Sequence, residues 1–168
     1  MEKIILLAIA LGLTSTLTLA QDRIEWLSIE AMEKASKENP KPVFIDIYTD
    51  WCGWCKRMDR TVFNDPEIIT YMNEKFYPVK LNGEEKKTIN FMDHEFKFRN
   101  AGRRGVNELA LSLMQGKMSY PSYAFLNDEF QMITLLKGYR DKKTMLKVLN
   151  YIGDQVYLEQ TWDEYNKE

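Results

Sequence analysis

Cysteine and histidine are both scarce in this 168-residue chain, with two of the first and one of the second. A structural zinc site normally takes four such ligands, and His94 lies far along the chain from Cys52 and Cys55, so no metal site is expected. Two cysteines are also too few for a small fold stapled by several disulfides. No excess of one charge exists: 23 basic residues face 25 acidic ones, for a net of −2. Nor does a long run of like charge occur, and a nucleic-acid partner, which calls for a basic patch, is not expected. Past residue 20 there is no apolar run near the roughly 20 residues a membrane span needs. Repeats, low-complexity tracts and linkers are missing too, and the length suits one domain with its own core.

What is present begins with a distinct N-terminus. Lys3, an apolar run from Ile4 to Leu13, and the small-residue ending Thr18-Leu19-Ala20 have the layout of a cleavable secretory signal. The expected organisation is a signal peptide over residues 1–20 and a single domain over 21–168. The mature protein is then exported and away from the membrane, with no cysteine at the cut to carry a lipid. An exported protein meets an oxidising compartment, where cysteines usually serve structural disulfides. Here the pair forms Cys52-Gly53-Trp54-Cys55, and a bridge across so short a loop constrains the unfolded chain very little. Reactivity explains the pair better than stability does.

The remaining pattern alternates strands and helices. Residues 24–28 read as a short strand anchored by Trp26, and residues 29–38 as a helix with Ile29, Met32 and Ala35 on one face. Val43-Phe44-Ile45-Asp46-Ile47-Tyr48 is a near-continuous apolar run, as in a strand buried on both faces, interrupted by one carboxylate. Cys52 opens a helix to about residue 60, and Asn64-Asp65-Pro66 begins another that ends near residue 75. Residues 76–82 form a strand. Ile89, Phe91, Phe96 and Phe98 alternate as in a hairpin turning at Asp93-His94-Glu95, where His94 is a turn residue, with a short helix as the alternative. Residues 101–105 read as a flexible loop, and Asn107 caps a helix ended by Gly116. Strands over 123–126 and 131–137 make a final hairpin, followed by a helix from about residue 141. Tyr157, Trp162 and Tyr165 dock the tail. This order predicts an α/β fold with a mixed central sheet.

Two cysteines two residues apart, after a buried strand and at a helix start, are the layout of a redox dithiol. Unpaired N–H groups and the dipole at the helix start favour the Cys52 thiolate, and Lys56, Arg57 and Arg60 add positive charge. Cys55, one turn deeper, is the less exposed thiol and the one placed to attack Cys52. A buried Asp46 has a raised pKa and can take a proton near neutral pH.

The segment Phe44-Ile45-Asp46-Ile47-Tyr48-Thr49-Asp50-Trp51-Cys52-Gly53-Trp54-Cys55-Lys56 resembles the signature of the thioredoxin superfamily. Asp46, six residues before Cys52, matches that family's buried aspartate, and Val79-Lys80-Leu81-Asn82 resembles the strand whose lysine neighbours it. Ser119-Tyr120-Pro121-Ser122 resembles the segment carrying the family's cis-proline, and Gly138 the glycine after its last strand. The likeness covers most of residues 43–140 and is greatest to exported bacterial thioredoxin-like proteins. It implies a thioredoxin-like fold, a central mixed β-sheet flanked by helices on both faces. It further implies a periplasmic thiol–disulfide oxidoreductase acting on protein disulfides, as reductase or isomerase. Cys52, Cys55, Asp46 and Lys80 are then the catalytic group, and Trp51, Gly53, Trp54, Tyr120 and Pro121 the substrate-binding one. The implied partners are disulfide-bearing substrate proteins and a redox protein that supplies or accepts electrons; no metal or organic cofactor is required. The alternative is a non-enzymatic binding module with a vestigial dithiol. Three features depart from the family: Gly-Trp between the cysteines, the bulky Tyr120, and an enlarged section over residues 84–115.

Overall fold

The computed structural model describes residues 22–101 and 104–167. The expected signal peptide lies outside them, as does the middle of the loop expected at 101–105.

Four strands make the central sheet: β1 (Val43–Tyr48), β2 (Tyr77–Asn82), β7 (Ser122–Leu126) and β8 (Met132–Lys137), in the order β2-β1-β7-β8. β1 runs parallel to β2 and antiparallel to β7, and β7 is antiparallel to β8, so the sheet is mixed. The apolar run of β1 is explained by its place inside the sheet. Ile45 and Ile47 face one core with α1 (Ile29–Glu38) and α4 (Glu108–Leu113), while Phe44 faces a second core with α2 (Gly53–Thr61), α3 (Pro66–Lys75) and α5 (Lys142–Gly153). Helices therefore cover both faces. Four of these five helices start where a short polar side chain accepts a backbone N–H, namely Ser28, Asp65, Asn107 and Asp141, while α2 starts at Cys52.

The structure corrects the expected first strand. Residues 24–28 contribute one bridge, Leu27 to Val79, and Trp26 instead packs its ring on Phe44 and Phe63. The middle section holds two hairpins rather than one. β3 (Ile89–Phe91) and β4 (His94–Phe96) join through Met92 and Asp93, both left-handed at φ 51° and 57°, as the tightest hairpin turn requires. The turn thus sits earlier than expected, and His94 is a strand residue with its ring against Phe96. β5 (Phe98–Ala101) pairs with β6 (Arg104–Asn107), so Arg104 and Gly105 belong to a strand, not a loop. Gly105 is the reason the pairing closes: a Cβ there would lie 1.8 Å from the Phe98 ring. The amide of Asn107 donates to the carbonyl of Gly83 at 2.8 Å, tying this hairpin to the end of β2. At the C-terminus, Tyr157 and Trp162 pack against the α5 core, Trp162 from a short helix α6 (Trp162–Tyr165), as expected of a docked tail.

Candidate active site

Four connections meet at one end of the sheet. β1 and β2 end there side by side, β7 begins there, and β8 returns there, since Ile47 pairs with Ser122 and Ser122 with Lys137. The segments that follow or precede those ends carry Trp51 and Cys52, Gly83 and Glu84, Tyr120 and Pro121, and Gly138 and Tyr139. Chain topology alone brings these residues to one place.

Cys52 is the N-cap of α2, and its sulfur accepts the Cys55 N–H at 3.0 Å. The two sulfurs are joined in a disulfide. An N-cap acceptor sits where the free N–H groups of a helix point, a position that favours a thiolate once the bond is reduced. Both cysteines are nearly covered, with Cys52 4% and Cys55 2% exposed, so the oxidised pair shows only a slight difference in access. The neighbouring Gly53 is exposed, and a Cβ added to it would meet nothing within 4 Å.

Beneath lies Asp46, buried in β1 beside Lys80 of β2. The Lys80 ammonium donates to Asp46 Oδ2 at 2.7 Å and also to the Asp59 carboxylate, from α2. The other Asp46 oxygen, Oδ1, is buried with no hydrogen-bond partner among the described residues. Burial pushes the Asp46 carboxyl up to about 6, against the opposing pull of Lys80. For Lys80, burial pushes downward, but Asp46 and Asp59 together outweigh it and the pKa is raised. Lys80 therefore stays cationic around neutral pH, and its ammonium lies over the Trp26, Tyr48 and Phe63 rings at 4.9–5.8 Å. The three side chains grade from the interior to water: Asp46 is 2% exposed, Lys80 21% and Asp59 42%.

Two tryptophans flank the disulfide, Trp51 at 49% and Trp54 at 54% exposure. Trp51 is held from several sides. Its Nε1–H donates to Glu84 Oε1 at 3.0 Å, Arg104 lies 4.5 Å over its ring, and Tyr120 meets it edge-on at 5.7 Å. Glu84 and Arg104 form an ion pair at 3.8 Å. Tyr120 also closes over Gly83, where a Cβ would lie 2.4 Å from its hydroxyl, so the bulky Tyr120 requires that glycine. The Tyr120–Pro121 bond is cis, as the resemblance implied, and the Pro121 carbonyl accepts the Gly138 N–H at 2.8 Å. Trp54 has a different setting: Tyr139 lies 5.4 Å away, and Arg57 sits over both rings at 5.4 and 5.2 Å.

Of the nine expected site residues, Cys52, Cys55, Trp51, Gly53, Trp54, Tyr120 and Pro121 lie at this end of the sheet, while Asp46 and Lys80 sit side by side within β1 and β2 and are joined to α2 through Asp59. Sequence reasoning missed Asp59, Glu84, Arg104 and Tyr139. Asp59 had a signal, since it lies four residues after Cys55 and so on the same helical face. Arg104 had none, because its place depends on the β5–β6 pairing.

Comparison with known proteins places this geometry. Residues 14–167 match the family Thioredox_DsbH, described as "Protein of unknown function, DUF255". The chain is 32% identical over 103 residues to a thiol:disulfide interchange protein DsbD of Neisseria meningitidis, an alignment covering 60% of this chain and 16% of that protein. The chain thus matches about one sixth of the length of that relative. Among solved structures, a thioredoxin-fold protein from Helicobacter pylori superposes with TM-score 0.59 at 21% identity, over 77% of this chain and 80% of the other. A DsbH oxidoreductase superposes with TM-score 0.54 at 16% identity, over 86% and 96%. These likenesses show a thioredoxin fold, and with the match over nearly its whole length the chain belongs to the Thioredox_DsbH family.

Proposed function

We propose that this protein is an exported thiol–disulfide oxidoreductase that acts on protein disulfides as a reductase or isomerase. The observation that carries it is the Cys52–Cys55 disulfide at the start of α2, above a buried Asp46 whose pKa is raised to about 6. The sequence likeness to a thiol:disulfide interchange protein supports the same chemistry.

In the reduced protein, the Cys52 thiolate attacks one sulfur of a substrate disulfide and expels the other as a thiolate, leaving a mixed disulfide. Cys55 then gives its proton, through a water, to the Asp46 carboxylate, attacks Cys52 Sγ and releases the second substrate thiolate. Two electrons pass from the dithiol to the substrate, and another redox protein must restore them. A carboxyl with a pKa of about 6 is largely ionised at pH 7 and basic enough to accept that proton. Lys80 holds the carboxylate in place and moderates its charge. Trp51, Gly53, Trp54, Tyr120 and Pro121 form the surface against which the substrate chain lies, with the Tyr120 backbone pairing to it as an extra strand. The layout of residues 1–20 and the likeness to exported proteins support a periplasmic location.

Catalysis of insulin reduction by a small thiol tests this. Turnover that is lost on replacing Cys52 is the expected result. No acceleration by the unaltered protein would turn the account toward a binding module with an idle dithiol. The reduction potential then sets direction, with a value near about −270 mV expected for a reductase and about −120 mV for an oxidant.

A further inference from the structure

The two flanks of the disulfide differ in charge. On the Trp51 side the cation is neutralised, because Arg104 pairs with Glu84. On the Trp54 side, Lys56, Arg57 and Arg60 project from α2, and Arg140 follows Tyr139. Among the described residues, none of these four makes an ion pair; exposed lysines such as Lys34 and Lys143 are also unpaired, but Lys56, Arg57 and Arg60 are gathered on the one helix that starts at the disulfide. Carboxylates near them in sequence are engaged elsewhere: Asp59 with Lys80, and Asp141 with the Thr144 amide at 2.8 Å. Arg57 is also fixed in position by lying over Trp54 and Tyr139. A guanidinium so placed has little freedom left for binding to remove, and its donors remain open to an anion. This local excess occurs in a chain whose net charge is −2.

We infer that the Trp54 flank is a recognition surface for acidic protein segments: Arg57, with Lys56, Arg60 and Arg140 around it, receives Asp or Glu side chains close to the disulfide being exchanged. The inference rests on the proposed oxidoreductase function and adds the class of substrate. Chemistry at the cysteines is unchanged. The protein dithiol is oxidised to its disulfide, and the substrate disulfide is reduced to two thiols.

The test uses two cystine-linked peptides that differ only in flanking residues, glutamate in one and lysine in the other. The pre-reduced protein reacts with each, and the ratio of the two rate constants is the readout, because any effect on intrinsic Cys52 reactivity cancels in it. Glutamate peptide should react about tenfold faster at low salt, and the preference should shrink toward unity in about 1 M salt. The double change Arg57→Gln with Arg60→Gln should lower the ratio by about fivefold or more, while Arg57→Lys with Arg60→Lys should keep most of it. A ratio near one in the unaltered protein, or a ratio unmoved by the glutamine pair, overturns the inference while leaving the oxidoreductase function standing. Reduction of neither peptide removes that function, and the inference with it. Arg57-dependent binding to phosphatidylglycerol vesicles, together with a peptide ratio near one, would also overturn it, in favour of a lipid surface.

Discussion

Trp51 and Trp54 stand on either side of one disulfide with similar exposure, yet the protein treats them differently. Trp51 is tied down by Glu84 and Tyr120, from two separate connections, and by Arg104 of β6. Trp54 touches Tyr139 and Arg57 and is bonded to no carboxylate. The contrast separates rigidity from charge. One flank is a fixed wall whose shape depends on the enlarged middle section, and the other is a positively charged surface built on α2 itself. Since α2 starts at Cys52 and also carries Cys55 and Asp59, charge on the Trp54 flank sits close to the chemistry, while the Trp51 flank acts by position.

That comparison can be broken or sharpened by substitution. The largest effect is expected at the centre shared by both flanks: Cys52→Ser should reduce insulin turnover to the uncatalysed rate, whatever peptide is offered. Asp46→Asn comes next. It should slow the resolving step by on the order of 10–100-fold, and the rate profile should lose its inflection near pH 6. The same variant reports on stability with a defined sign. The folded carboxyl titrates at about 6 rather than 3.8, so between those values the folded protein holds a proton that the unfolded chain has released. Stability therefore falls as pH rises through that window, and the charged form is a cost above it. Asp46→Asn should stabilise the fold at pH 8, by at most about 3 kcal/mol, with the gain vanishing near pH 4. Denaturant titration at the two pH values measures it.

Smaller effects separate the flanks. Gly105→Ala forces a methyl into the Phe98 ring and should cost about 1–3 kcal/mol. By disturbing β6 it should also release Arg104 from Trp51, raising KM for a protein substrate while leaving the glutamate-to-lysine peptide ratio in place. Glu84→Ala should have the mildest result, a rise in KM of about threefold with kcat retained, because it removes the Trp51 hydrogen bond and one partly exposed ion pair. A Glu84→Ala protein that lost its peptide preference would show the two flanks to be one surface.

Much of this was legible in the sequence for identifiable reasons. The β1 run, the helix starts at Asp65, Asn107 and about residue 141, and the placement of Cys52 at a helix start depend on local pattern, and the structure follows them. Asp46 was visible because a lone carboxylate in an apolar strand has few inexpensive positions. The misses share a cause as well. Residues 24–28 look like a strand by composition but have only one bridge to offer. The β3–β4 turn falls on Met92 and Asp93, whose left-handed backbone carries no glycine to announce it. Arg104 and Glu84 come together through hairpin packing between segments distant from α2, which no local periodicity encodes.

The central claim is that Cys52 attacks and Cys55 resolves, and trapping the mixed disulfide tests it most directly. Reduced Cys55→Ser protein, mixed with a cystine-linked peptide and mapped by mass spectrometry, should accumulate one peptide on Cys52 and keep it. The Cys52→Ser protein, treated alike, should carry little or none on Cys55, which lies inside α2 rather than at its N-cap. Equal adduct on both variants, or a stable adduct on Cys55 alone, would contradict the account.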